Sequence, residues 1–224
     1  MLNDMMCHSV LAVWQLLTEP GQPLASVKPA YVTGQIASLK WSQPRYARQL
    51  RARMGSTVDY RSEPSEDFAS VTIEFRTRDG QKLVGEATTS WGFVGAGLRL
   101  SAELLGPEYS MSLNTLEAGL SVFFGRATEA KAGEDLVEKQ NAEIGQLPVV
   151  ADEAAAYGYE AENRHFVRAF LGKEEPLLTL HDGLAVVKLL MTAYRSAEER
   201  KTLRFPPPGI ERFVPKVARG KYAP

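Results

Sequence analysis

Apolar positions along the chain alternate between a helical and a strand period, and each change marks a new element. Met6, Val10, Val13, Trp14 and Leu17 recur at spacings of three and four, one face of a helix running from Asn3 to Leu17 and stopped by Thr18-Glu19-Pro20-Gly21. Tyr31, Val32, Thr33, Ile36 and Leu39 favour a strand between Lys28 and about Trp41. Tyr46 to Met54 reads as a short basic helix closed by Gly55, and Ser56 to Asp67 as a polar loop.

From Phe68 to Arg126 the period falls to two. Val71, Ile73 and Phe75 are followed by Leu98, Leu100, Ala102 and Leu104, by Met111 and Leu113, and by Leu120, Val122 and Phe124, the signature of consecutive strands. Turns are marked by Arg78-Asp79-Gly80, Gly92 to Gly97, Gly106-Pro107 and Asn114 to Gly119. The alternate positions are small or polar (Thr72, Glu74, Glu86, Thr88, Arg99, Ser101, Ser112), so one face of the sheet is expected to meet helices and the other water, ligand or a second subunit.

After a Gly- and charge-rich connection from Ala127 to Pro148, helical periodicity returns. A helix is expected over about Asp152 to Leu171, with Tyr159, Asn163, Phe166 and Phe170 on one stripe. A second begins near Leu180, with Leu184, Val187, Met191 and Tyr194 apolar and Lys188 and Arg195 opposite. Lys201 to Phe205 suits a last short strand. The order predicts an α+β fold: an open, largely antiparallel sheet with helices packed on one face. We read residues 1–205 as one α+β domain and 206–224 as an extended Pro-rich basic tail.

Composition narrows the partners. The 224 residues carry 26 basic and 27 acidic side chains, so no global field draws the chain to nucleic acid or to an anionic membrane. No apolar run approaches the ~20 residues that span a bilayer. The start lacks a basic leader region, and the cytoplasm is the expected compartment. The single cysteine, Cys7, excludes an intrachain disulfide, and no Cys/His cluster offers a structural zinc site.

The informative polar pair is Asp4 and His8. Four positions apart on a helix, two side chains share a face with Cβ atoms about 5–6 Å apart. An imidazole, with an unperturbed pKa of about 6.5, takes and returns protons near neutrality, and a carboxylate one turn away orients the ring or holds a substrate hydroxyl. The same residues admit a structural reading, Asn3 as a cap and Asp4 offsetting the helix dipole, and a metal reading that lacks a third ligand. Cys7 diverges from His8 by ~100° around the axis and reads as a small packed residue. His165 and His181 read as helix-surface or satisfied interior histidines. Gly95-Ala96-Gly97 is an incomplete dinucleotide fingerprint, because strand-like sequence follows it instead of a helix.

The opening LNDMMCHSVLAVWQLL resembles the start of the C-terminal domain of the glucose-fructose oxidoreductase, inositol dehydrogenase and MocA-like (Gfo/Idh/MocA) family, whose first helix there carries an Asp-x3-His. The closing GYEAENRHFVRAFLGKEEPLLTLHDGLAVVKLLMTAYRSAEERKTLRFP is similar to that family's helix-loop-helix-strand ending, including Tyr159, Glu162, Phe166, Gly172, Pro176, Asp182-Gly183, Tyr194, Ser196-Ala197-Glu198 and Pro206. The resemblance implies hydride exchange between NAD or NADP and a sugar, cyclitol or related hydroxy or keto compound, with His8 as general acid/base supported by Asp4. Tyr159, Trp91 and Arg99 are candidate substrate contacts, each with packing or a surface ion pair as its alternative.

Family members begin with a Rossmann domain bearing a Gly-rich phosphate turn and a later Glu-Lys-Pro. This sequence contains neither. The expectation is a homo-oligomeric half-enzyme that binds substrate but no nucleotide, its Rossmann partner lost, split off or encoded upstream. A non-catalytic binding or scaffold protein using the open sheet as an interface is the alternative, and a metal-dependent hydrolase built on Asp4 and His8 a remote third.

Overall fold

The computed structural model describes residues 1–55, 59–92, 99–107, 110–114, 121–124, 145–148 and 152–223. Gly95-Ala96-Gly97 and most of the 127–148 connection lie outside them. The chain gathers into two units, one formed by Met1–Phe93 with Leu177–Pro224 and the other by Val94–Pro176.

The first unit contains helices α1 (Met6–Leu16), α2 (Pro44–Met54) and α5 (Leu180–Glu199), with strands β1 (Lys28–Ala37), β2 (Phe68–Arg76), β3 (Lys82–Ser90) and β8 (Leu203–Arg204). The strands form one sheet in the order β3-β2-β1-β8, antiparallel throughout. Register places Val32 opposite Ile73 and Gly34 opposite Val71, then Ile73 opposite Gly85 and Val71 opposite Ala87, so the apolar positions of three strands share a face. Ala69, Val71, Ile73 and Phe75 are buried there beneath α1, which packs on β3, and α5, which packs on β1 and against α1. The opposite face carries the expected polar alternation, with Thr72 opposite Glu86 and Ser70 opposite Thr88, and leaves Tyr31 and Val84 exposed.

Two glycines set how closely the helices approach. A Cβ on Gly34 would meet the Ala193 carbonyl oxygen at 2.3 Å, and one on Gly85 would meet Val13 Cγ1 at the same distance. The close passage at Gly34 selects the buried face of α5. The expected stripe of Leu184, Val187, Met191 and Tyr194 is corrected: Val186, Leu189, Leu190, Ala193 and Tyr194 are buried, while Leu184 and Val187 are exposed. Both stripes have helical spacing, and only the one holding Ala193 lets the backbones touch. Ser196 then closes the contact, accepting the Gly34 N–H at 2.9 Å and donating to the Lys201 carbonyl at 2.6 Å.

From Pro206 onward, where an extended tail was expected, the chain forms short 3-10 turns at Ile210–Arg212 and Val217–Arg219. Ile210 is buried, Arg195 donates to the Pro208 carbonyl, and the Lys216 N–H donates to Glu198, so this segment lies along α5.

The second unit contains β4 (Ser101–Leu105), β5 (Ser110–Asn114), β6 (Ser121–Phe124), β7 (Gly145–Pro148), α3 (Glu153–Ala156) and α4 (Tyr159–Phe170). Among the described residues β4 pairs only with β5 and β6 only with β7, so the period-two run after β3 forms local ribbons and does not extend the four-stranded sheet. The single helix expected over Asp152–Leu171 is divided at Gly158, whose φ of 81° is left-handed and open to glycine at little cost.

Candidate functional site

The turn that leads into α1 carries the pair singled out in the sequence. Asp4 and Met5 donate their N–H groups to the Met1 carbonyl at 3.2 and 2.9 Å, so the chain is already turning before the helix begins at Met6. This corrects the expected helix start: Asp4 lies ahead of the first helical turn, the cap position is Met5, and no side chain caps it. The lead turn itself occupies the amide donors that an Asn3 cap was expected to serve.

Leu2, Met6, Val10 and Trp14 enter the core. Asp4 and His8 are exposed on the other side, and among the described residues neither side chain makes a hydrogen bond. Cys7 is half-buried between them and donates its thiol to the Asp4 carbonyl at 3.0 Å, in keeping with a packed residue.

Trp91 reaches the same end of the sheet by another route. The Met6 sulfur meets Thr89 Oγ1 at 3.9 Å, placing the start of α1 over the last residues of β3, and Trp91 follows directly. Its N–H donates to the Asp67 carbonyl at 2.9 Å while its side chain stays 43% exposed. Asp4, His8 and Trp91 are thus brought to one end of the four-stranded sheet. Arg99, exposed just ahead of β4, and Tyr159, the half-exposed first residue of α4, belong to the second unit.

Sequence reasoning missed two residues here. Glu66 and Asp67, assigned to a polar loop, are buried. Glu66 Oε1 accepts from the Met1 amine at 3.1 Å, the Leu2 N–H at 3.0 Å and the Tyr194 hydroxyl at 2.5 Å. Asp67 accepts the N–H groups of Leu39, Lys40 and Trp41 at 2.7–2.8 Å. Burial opposes the charge on Glu66, but the Tyr194 hydroxyl, the Met1 amine and the Leu2 N–H outweigh it and hold the carboxyl below the usual range. Burial, reinforced by Glu66, raises the Tyr194 phenol. The one sequence signal was Tyr194 itself, since a tyrosine on an apolar helix face needs a partner for its hydroxyl.

The remaining histidines are accounted for locally. His165 Nδ1 lies 2.7 Å from Glu174, which also accepts from Arg168, and His181 is exposed near the start of α5. Among the described residues no three His, Cys, Asp or Glu side chains gather as a metal site.

No protein-family model and no curated protein matches the chain. Solved structures do. GenD2 from gentamicin A biosynthesis, in complex with NAD, matches with a TM-score of 0.61 and 25% identity over 91% of this chain and 47% of its own. A probable dehydrogenase from Thermotoga maritima matches at TM-score 0.53 and 15% identity, covering 95% of this chain and 50% of that one. An oxidoreductase domain protein from Kribbella flavida matches at 0.52 and 20%, covering 92% and 51%. The chain therefore spans about half the length of each. Its fold is that of the C-terminal domain of Gfo/Idh/MocA-type dehydrogenases, the family to which its opening and closing motifs pointed.

Proposed function

We propose that this chain is the substrate-binding and oligomerisation part of an NAD(P)-dependent oxidoreductase acting on a sugar, cyclitol or related hydroxy or keto compound. The observation that carries this reading is the exposed Asp4 and His8, on a domain that resembles GenD2, solved in complex with NAD. His8 takes the substrate hydroxyl proton on oxidation and returns it on reduction. Asp4, one turn earlier, orients the ring or the hydroxyl, and Trp91 contacts the substrate.

The described residues do not form a dinucleotide crevice. Every described strand pair is antiparallel, whereas a dinucleotide crevice is built on parallel strands joined through a Gly-rich turn to a helix. This chain's own residues serve substrate binding and proton transfer, and a separate Rossmann domain would hold the nicotinamide.

Co-expression or fusion with a Rossmann half from a related dehydrogenase tests the reading. Nicotinamide-dependent turnover of a polyol is expected, falling at least ~100-fold in His8→Ala, the lower range for a lost general acid/base. An unchanged rate would remove His8 from the reaction. The chain alone is expected not to bind NADH in a fluorescence titration, and micromolar affinity would overturn that part.

A second reading, a non-catalytic scaffold, is favoured by the sheet face opposite α1 and α5, where Tyr31 and Val84 stand exposed. Specific polyol binding that is lost in Asp4→Asn and His8→Ala favours the first reading, while a discrete oligomer without such binding favours the second.

A further inference from the structure

Glu66 and Asp67 are adjacent buried carboxylates that proton transfer does not use. Burying such a group is expensive unless donors surround it. Here the donors come from the segments that carry the candidate site. Glu66 holds the Met1 and Leu2 nitrogens, and Met1 in turn holds Asp4 and Met5 through its carbonyl. Tyr194, on α5, donates to the same Glu66 Oε1, and Ser65 donates to the other carboxylate oxygen. Asp67 clamps the Leu39–Trp41 amides, while its carbonyl receives the Trp91 N–H and the Ser90 hydroxyl. The Ser90 oxygen then accepts the Gly92 N–H at 2.8 Å, fixing both sides of Trp91.

We propose that Glu66 and Asp67 are positioning residues for the substrate site, Glu66 fixing the turn that presents Asp4 and His8, and Asp67 fixing the loops that present Trp91. The body of α1 is held by its own apolar face, so Glu66 governs the lead turn and not the helix. The inference rests on the reading of Asp4, His8 and Trp91 as substrate-facing. A small displacement of catalytic groups costs rate even where the fold survives, which is how a residue remote from the chemistry enters it.

Amide hydrogen exchange of the chain, followed by segment, tests the structural half. Glu66→Ala is expected to speed exchange in residues 2–8 at least tenfold and leave residues 38–41 and 90–92 within twofold. Asp67→Ala, which removes the acceptor for residues 39–41 and leaves the main-chain carbonyl that holds Trp91, is expected to speed exchange in residues 39–41 at least tenfold and leave residues 2–8 within twofold. Glu66→Gln, which keeps an acceptor for Leu2 and Tyr194, should restore most of the protection. If Glu66→Ala does not fold, Tyr194→Phe removes one donor and should loosen residues 2–8 several-fold without loosening residues 71–75. Uniform loosening, or none, overturns the proposal.

In the assembly with a Rossmann half, Glu66→Ala should lower kcat ~10-fold or more with KM within twofold, and Glu66→Gln should recover it. Asp67→Ala should act chiefly on KM. Loosened exchange with unchanged kinetics overturns the positioning role. A His8→Ala variant with normal turnover would instead refute the catalytic reading and leave the exchange result standing, so the two failures are distinguishable.

Discussion

Gly34 and Ala193 meet backbone to backbone, with 2.3 Å between the position of a Gly34 Cβ and the Ala193 carbonyl oxygen. No rotamer change relieves such a contact, because the obstructing atom belongs to the α5 main chain. Gly34→Ala is therefore expected to destabilise the protein by about 1–3 kcal/mol, the usual cost of overpacking, read as a lower urea midpoint.

Gly85 offers a contrast, because its obstructing atom is the Val13 side-chain methyl. Gly85→Ala should also destabilise, but combining it with Val13→Ala should recover part of the loss. A double-mutant cycle with a coupling energy of at least about 0.5 kcal/mol is the expected outcome, and strict additivity would contradict the contact.

Glu66 and Tyr194 predict opposite pH limits. Because the folded state holds the Glu66 carboxyl below its ordinary value, that group's stabilisation is present above the unfolded carboxylate pKa and is lost as pH falls through the folded one. The Tyr194 phenol is raised, so its contribution is intact below the unfolded phenol pKa of about 10 and fades as pH climbs toward the folded value. Tyr60 and Tyr222, raised by burial and by the Glu66 and Asp67 charges, add to the alkaline loss. Urea midpoints against pH should fall at both ends, with Glu66→Gln flattening the acid limb and Tyr194→Phe part of the alkaline one.

Thr179 and Asp182 close the start of α5 reciprocally. The Asp182 N–H donates to the threonine hydroxyl, and Asp182 accepts the Thr179 N–H at 2.8 Å. Thr179→Ala should cost about 1 kcal/mol by urea denaturation, the typical penalty for a lost cap.

In the assembled enzyme Asp4→Asn should reduce kcat less than His8→Ala, because an amide still donates and accepts hydrogen bonds but no longer supports a charged ring. Equal losses would give Asp4 a proton-transfer role of its own.

The parts of this fold legible in the sequence are those where one periodicity stood unopposed. Met6, Val10 and Trp14 are buried at the spacing that marked the first helix, and Val71, Ile73 and Phe75 alternate as expected in β2. Helix α5 was harder, since 184-187-191 and 186-189-193 are both apolar series at helical spacing, and the choice depended on Gly34 in a strand some 160 positions away in the chain. Asp4 and His8 drew notice as a pair because four residues make one helical turn, although the helix begins only at Met6. Glu66 and Asp67 were not, because a Glu-Asp dipeptide among serines and prolines looks solvated, and its donors come from residues 1–2, 39–41 and 194.

The first unit is assembled from the two outer stretches of the chain, with β1 opposite β8 at Tyr31–Arg204 and Val32–Leu203. During synthesis β1 and β2 must therefore wait until α5 has left the ribosome before β1 is covered and Tyr194 can meet Glu66. Until then the nascent sheet carries an open apolar side, the kind of surface that chaperones bind. Contacts of such long sequence separation also make for slow refolding from denaturant, so recovery should improve when the chain is diluted.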